Sequence, residues 1–89
     1  MKAILTVIGK DRVGIIAGIS RELADANVNI MDISQTILQG YFTMIMLLNL
    51  KDANISFDEL SKRLKKKGEE LGVDVKLQHE DVFRSMHRI

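Results

Sequence analysis

The fold is decided near the N-terminus by the stretch AILTVIGKDRVGIIAGISRELADA, residues 3–26. Residues 3–8 are aliphatic or β-branched and end at Gly9, which is typical of a β-strand. Residues 13–26 carry an apolar stripe at helical spacing, formed by Ile16, Ile19, Leu23 and Ala26. The stretch therefore predicts a strand that leads through a short loop into an amphipathic helix.

The second predicted strand has an apolar alternation that changes phase. Val28 and Ile30 share one phase, and the later Ile33 and Ile37 share the opposite one. An extra residue in a strand moves every later side chain to the other face of the sheet. We therefore predict a β-bulge near Met31-Asp32.

A hairpin follows this strand, which spans residues 28–38. Gln39-Gly40 suits a tight two-residue turn, because Gly accepts a positive φ at little cost. The third strand is predicted from Tyr41 to Leu50, where eight of ten residues are apolar. A run that is apolar in both phases predicts a central strand with both faces covered.

The third strand begins a second strand–helix–strand unit, so the chain contains the same unit twice. Ser56 and Glu59 form a capping box, which predicts the start of a helix, and Gly72 is a typical residue to end one. Its apolar stripe consists of Phe57, Leu60, Leu64 and Leu71. A half-buried strand is predicted next from the alternating Val73, Val75 and Leu77. The last ten residues place four apolar side chains on one helical face: Val82, Phe83, Met86 and Ile89.

The predicted order is thus βαββαβ followed by a short helix. Two βαβ units that share one antiparallel sheet, with both helices on one face, make the ferredoxin-like two-layer sandwich, an α+β fold. A chain of 89 residues fits one domain. We assign that domain to residues 1–79 and a C-terminal helical tail to residues 80–89.

Composition excludes several classes of function. A net charge of +1 gives no long-range attraction to nucleic acid or to anionic membranes, so neither is an expected partner. The absence of Cys removes thiolate catalysis and Cys-ligated metals. His79 and His87 are eight residues apart, which does not place two metal ligands on one helical face. We expect no cofactor and no metal. With no signal-like or membrane-spanning stretch, we expect a cytoplasmic protein.

The sequence contains no recognisable catalytic constellation. Gly9 to Gly14 matches the first half of a phosphate-binding loop, but Ile15-Ile16 stand where Lys and Ser or Thr are needed. The serines are scattered, and neither His is close to one by local spacing. We therefore expect that the protein is not an enzyme.

The loop between the first strand and the first helix carries the candidate site. If the helix starts near Val13, free amide N–H groups of residues 13–16 favour a carboxylate. Gly14 has no Cβ, so a ligand could approach the backbone closely. Asp11 could accept a hydrogen bond from an ammonium group. Together these features suit an α-amino acid; the alternative is that Asp11 caps the helix and Gly14 only permits close approach of helix and sheet.

Residues 1–79 resemble the ACT domain, an amino-acid-binding regulatory module. The resemblance rests on Gly9 with Asp11 to Ile15, on Ala26-Asn27-Val28-Asn29-Ile30, and on the βαββαβ order. With Ile33-Ser34-Gln35-Thr36 and its tail, the chain looks most like short stand-alone ACT proteins of uncharacterised function. It is more distantly similar to the ACT-type repressor of the glycine cleavage system.

The resemblance implies a homo-oligomer, dimer or tetramer, whose sheets join side by side. It implies a small amino-acid-like ligand held where the loop meets a neighbouring subunit's second strand. The implied ligand-binding residues are those of the loop and the start of that strand: Asp11, Arg12, Val13, Gly14, Ile15 and Asn29. The sequence departs from the family pattern at two positions, since Val13 stands where Pro is common and Gly9 where some members have a polar residue.

Two other functions remain open from the sequence. One is an interaction module that binds another regulatory protein or an enzyme through its sheet face or tail, without a small-molecule ligand. Its basis is an apolar patch expected from Ile4, Ile8 and one phase of the third strand, which the tail could cover. The other is a small enzyme in which Asp11 and Asn29 share a cleft.

Overall fold

The computed structural model describes residues 1–86, with the side chain of Met86 left out. Ile89 and His87, which the sequence placed in the tail, lie outside the described residues. The elements in chain order are β1 Lys2–Lys10, α1 Ile15–Asp25, β2 Asn29–Leu38, β3 Tyr41–Asn49, α2 Phe57–Leu71, β4 Val73–His79 and α3 Glu80–Met86.

The described strands form one antiparallel sheet in the order β2-β3-β1-β4. One face of β1 and β3 is buried against α1 and α2 in a single apolar core. The largest fully buried side chains come from all four of these elements: Leu5, Val7, Ile15, Ile19, Leu23, Met44, Met46, Leu48, Leu60 and Leu64. The ferredoxin-like sandwich predicted from the sequence is confirmed, with both helices on one face.

The predicted bulge in β2 is confirmed. Ile30 pairs with Leu48 and Asp32 with Leu47, so Met31 is the extra residue. The bulge brings Ile33 opposite the buried Met46, on the helix-covered side of the sheet. Because β2 is an edge strand, Ile33 nevertheless stays 44% exposed.

The start of α1 differs from the sequence analysis in three ways. The helix begins at Ile15, not near Val13, because Gly14 adopts a left-handed conformation with φ 97° at the N-cap. No side chain among the described residues caps it, so the alternative in which Asp11 caps the helix is wrong. The buried stripe starts at Ile15, and Ile16 is 40% exposed, since the stripe follows a four-residue spacing that leaves Ile16 at its edge.

The other predicted helix and turn signals are confirmed. The Ser56 hydroxyl accepts a hydrogen bond from the Glu59 amide at 3.1 Å, and Gly72 ends α2 with φ 74°. Asn27 ends α1 with φ 58°; the Val28 amide donates to the Leu23 carbonyl in a Schellman-type closure. In the hairpin, Gln39 and Gly40 both have positive φ, as a type I′ turn requires.

The second face of the sheet is not covered by α1 or α2, so the expectation that both faces of β3 are covered is wrong for the described chain. Ile45 of β3 and Ile8 of β1 are exposed on it. Ile4 was expected in the same patch but is only 8% exposed. Helix α3 contacts β1 and β4, next to the end of the sheet where Ala3 pairs with His79.

Candidate functional site

The loop of residues 11–14 is held between the hairpin and the end of α2. The Asp11 amide donates to the Gly40 carbonyl at 2.8 Å, which ties the loop to the β2–β3 turn. The Arg12 guanidinium donates from Nη1 to the Leu71 carbonyl at 3.1 Å, at the C-terminus of α2. These two anchors position the loop although its side chains are exposed.

Gly14 shapes the start of α1 through its backbone. A Cβ added to Gly14 would meet no atom within 4 Å among the described residues, so the need for Gly is conformational and does not arise from crowding. The positive φ lets the chain turn sharply into α1 without a side-chain cap. Within residues 1–86, the amide N–H groups of Ile15, Ile16 and Ala17 consequently have no hydrogen-bond acceptor.

A cleft of about 220 Å³ opens beside these amides, and we call it the loop cleft. The loop and the first turn of α1 form one wall, and β2 with β3 forms the other. Its lining residues are Asp11, Arg12, Gly14, Ile15, Ile16, Ala17, Gln35, Ile37 and Phe42. The volume is below the roughly 300–1,000 Å³ of drug-sized ligand sites, so the loop cleft suits a small ligand.

The loop cleft combines polar groups with an apolar lining. The Asp11 side chain has no hydrogen bond or ion pair among the described residues, and Gln35 contributes an amide from the opposite wall. Ile16 and Ile37 are exposed at 40% and 59%, so both present apolar surface at the cleft. This arrangement can offer hydrogen-bond donors to an anion, an acceptor to a cation and apolar contacts to a short side chain.

The predicted site residues are only partly brought together. Asp11, Arg12, Gly14 and Ile15 line the loop cleft. Arg12 has a partner in α2, so its guanidinium also holds the loop in place. Val13 is fully exposed and does not line the cleft.

Asn29 lies far from the loop in the same chain. It pairs with Asn49 at one end of β2, whereas Leu38 at the other end pairs with Tyr41 beside the hairpin. Nine residues of extended strand span roughly 30 Å. Asn29 instead lines a second, polar cavity of about 450 Å³ with Asn27, Lys51 and Asp52 among its neighbours. Asp11 and Asn29 therefore do not share a cleft within one chain.

Sequence reasoning missed Gln35, Ile37 and Phe42 as cleft residues. The phase change at the bulge was the available signal, because it places Gln35 and Ile37 on the helix side of β2. The apolar alternation of β2 did not show that these residues stay exposed and line a cleft with the loop.

Neither a metal site nor a membrane span is found in the described part of the chain. Residues 1–86 hold no group of three or more His, Asp or Glu side chains placed to bind a metal ion. His79 instead stacks on Phe57, with ring centroids 4.1 Å apart and planes 13° apart. None of the helices among these residues is long and apolar enough to cross a membrane.

Comparison with known proteins agrees with this fold. The family model of the ACT domain matches residues 2–78, and the chain therefore belongs to the ACT domain family. A UPF0237 protein of Clostridium acetobutylicum is 58% identical over 89 residues, and the alignment covers all of both chains.

Solved structures share the architecture. An ACT domain protein from Streptococcus pneumoniae is 42% identical with a TM-score of 0.81, and the alignment covers 93% of each chain. The regulatory subunit of aspartate kinase from Thermus thermophilus is 24% identical with a TM-score of 0.68; the alignment covers 86% of this chain and 50% of that one. This second likeness shows the fold alone.

Proposed function

We propose that the protein is a non-catalytic regulatory module that binds a small amino-acid-like ligand in the loop cleft. The observation that carries the proposal is the set of three amides at Ile15, Ile16 and Ala17 that have no acceptor within residues 1–86; these residues line the loop cleft together with Asp11. Amides at a helix start, together with the helix dipole, favour a carboxylate.

The charges of an α-amino acid match the two polar parts of the loop cleft. The ligand carboxylate accepts hydrogen bonds from the first turn of α1, and the ligand ammonium donates to the Asp11 carboxylate. Gly14 leaves the space between these groups open. The ligand side chain then lies toward Ile16 and Ile37, the exposed apolar residues of the cleft.

A second copy of the chain completes the proposed site. The β2 edge has no strand beside it in the described chain, and after Asp32 it carries no charged residue up to Leu38. An uncharged strand edge can pair with another strand. Antiparallel pairing of β2 with β2 of a second copy brings the Asn29 end of one strand toward the hairpin end of the other. This supports Asn29 as a contact from the neighbouring subunit.

Binding at a shared site gives the module a way to regulate. A ligand that contacts both copies stabilises the arrangement in which the site is complete, and so shifts the population toward it. We place the protein and its ligand in the cytoplasm, where the concentrations of free amino acids change with the metabolic state of the cell.

Titration calorimetry against the twenty amino acids tests the proposal. We expect one or a few to bind to the native protein, and the corresponding amino acid amides, which lack the carboxylate, to bind at least about tenfold more weakly. Asp11→Asn removes the acceptor for the ammonium and should weaken binding by a similar factor. Asp25→Asn, the same change at the far end of α1, is the matched control and should bind as the native protein does.

Two results would contradict the proposal. One is that no amino acid binds at neutral pH. The other is that a binding amino acid is retained equally by Asp11→Asn and Asp25→Asn, which would place its site elsewhere on the chain.

A further inference from the structure

The strand wall of the loop cleft carries one polar side chain within an apolar row. After the bulge, the residues of β2 on the helix-covered side of the sheet are Ile33, Gln35 and Ile37. The residues of β3 that pair with these three are all apolar and buried. Among the described residues of β2 and β3 that line the cleft, Gln35 is therefore the one with a hydrogen-bonding side chain.

The side-chain amide of Gln35 is free to bind a ligand. It has no hydrogen-bond partner within residues 1–86, and Gln35 lines the cleft together with the first turn of α1. A glutamine amide both donates and accepts hydrogen bonds, so it can pair with a hydroxyl group in either direction. Ile16 and Ile37 add exposed apolar surface that suits a methyl group. This part of the cleft therefore offers one hydrogen-bonding group beside an apolar contact.

The charged groups of the loop cleft already have other roles. Asp11 accepts the ligand ammonium in the proposed function, and the Arg12 guanidinium donates to the Leu71 carbonyl at 3.1 Å. The described residues of β2 and β3 that line the cleft carry no charge. A charged ligand side chain would lie on Ile16 and Ile37 without an opposite charge, which is unfavourable. The cleft therefore favours a ligand with an uncharged side chain.

We propose that Gln35 determines specificity by selecting a short side chain with a hydroxyl group, so that the ligand is a hydroxy amino acid such as serine or threonine. The site is that of the proposed function, on which this inference rests, and Gln35 adds the chemical class of its ligand. The ligand hydroxyl pairs with the Gln35 amide, and the methyl group of threonine lies on Ile16 and Ile37. A cleft of about 220 Å³ suits a side chain of this length.

Valine is the decisive competitor of threonine because the two amino acids have nearly the same shape. Valine carries a methyl group in place of the hydroxyl, so it would cover the Gln35 amide without offering a hydrogen bond. A site that hydrogen-bonds a ligand hydroxyl rejects the analogue without it, because the polar group of the site is left unpaired. Since Gln35 is exposed, we expect a discrimination of about tenfold, well below that of a fully buried site.

Titration calorimetry with two matched pairs of amino acids, threonine with valine and serine with alanine, tests this specificity. We expect the native protein to bind the hydroxy amino acid of each pair about tenfold more tightly. Threonine should bind about threefold more tightly than serine because of its methyl group. Aspartate and lysine should bind at least about tenfold more weakly than threonine. Gln35→Leu removes the amide and should abolish or reverse the preference within both pairs.

Thr36→Leu is the matched control, since Thr36 is the next residue of β2 and pairs with Thr43 on the sheet face that α1 and α2 leave uncovered. It should keep the native preference, and circular dichroism verifies that both variants are folded.

Three results would overturn the role of Gln35 and leave the proposed function standing, because an amino acid still binds. They are equal affinities within each pair, a Gln35→Leu protein that keeps the native preference, and tighter binding of aspartate or lysine than of threonine. Binding of other amino acids but of none of these four would have the same meaning. If no amino acid binds, the proposed function and the role of Gln35 are both wrong.

Discussion

Arg12 and Leu71 connect the loop before α1 to the end of α2. The guanidinium of Arg12, in the loop before α1, donates to the carbonyl of Leu71, the last residue of α2, at 3.1 Å. The last carbonyls of a helix have no partner within the helix and carry partial negative charge. The contact therefore stabilises the end of α2 and also sets the position of the loop that lines the cleft.

Arg12→Ala should lower the free energy of unfolding by about 1 kcal/mol, since it removes one charge-assisted hydrogen bond at an exposed helix end. Urea denaturation followed by circular dichroism measures the change. Arg21→Ala, on the exposed side of α1, should change stability by less than about 0.5 kcal/mol. Equal effects of the two substitutions would show that the contact with Leu71 contributes nothing.

Gly14→Ala should destabilise the protein by about 1–2 kcal/mol although the new methyl group touches nothing. The cause is the backbone, because a φ of 97° is unfavourable for a residue with a Cβ. Gly14→Val should cost more, since a β-branched residue tolerates a positive φ least. Thermal melts of the native protein, Gly14→Ala and Gly14→Val give the order of their stabilities. A Gly14→Ala protein as stable as the native one would contradict the conformation assigned to Gly14.

Gly68→Ala should destabilise the protein by about 1–3 kcal/mol through overpacking, although Ala is the better helix former by about 1 kcal/mol. An added Cβ would lie 2.5 Å from Cγ2 of Val75 and 3.0 Å from the carbonyl oxygen of Val73. In a Val75→Ala background, the same substitution should cost less because one of these obstructions is gone. Chemical denaturation of the four proteins in this double-mutant cycle should give a coupling energy; strict additivity would count against the close contact.

Ser56→Ala should lower stability by about 1 kcal/mol, because the Glu59 amide loses the acceptor at the start of α2. Ser56→Asp keeps an acceptor at the same position and should retain most of the native stability. Differential scanning calorimetry of both variants checks the expectation. A melting temperature of Ser56→Asp equal to that of Ser56→Ala would contradict this expectation.

The elements that the sequence predicted well are those whose signals are local. The bulge at Met31 follows from a phase change within one strand, and the turn at Gln39-Gly40 follows from the conformational preference of its own residues. The cap at Ser56 needs only the three residues after it. In each case the deciding interactions join neighbours in the chain.

The start of α1 and the walls of the loop cleft could not be predicted in the same way. Asp11 had the chemistry of a cap, but its amide is tied to the hairpin and the left-handed Gly14 turns the chain afterwards. Gln35 and Ile37 line the cleft with the loop because they stay exposed on an edge strand. These positions depend on contacts between distant elements, which no local pattern encodes.

The bulge at Met31 divides β2 into two parts with different tolerance to change. Before it, Ile30 packs against the core and is constrained by folding. After it, the isoleucines lie at the rim of the molecule, where substitutions leave the interior untouched. The second half of one strand is thus free to diversify, and homologous proteins can acquire different recognition properties there without rebuilding the scaffold.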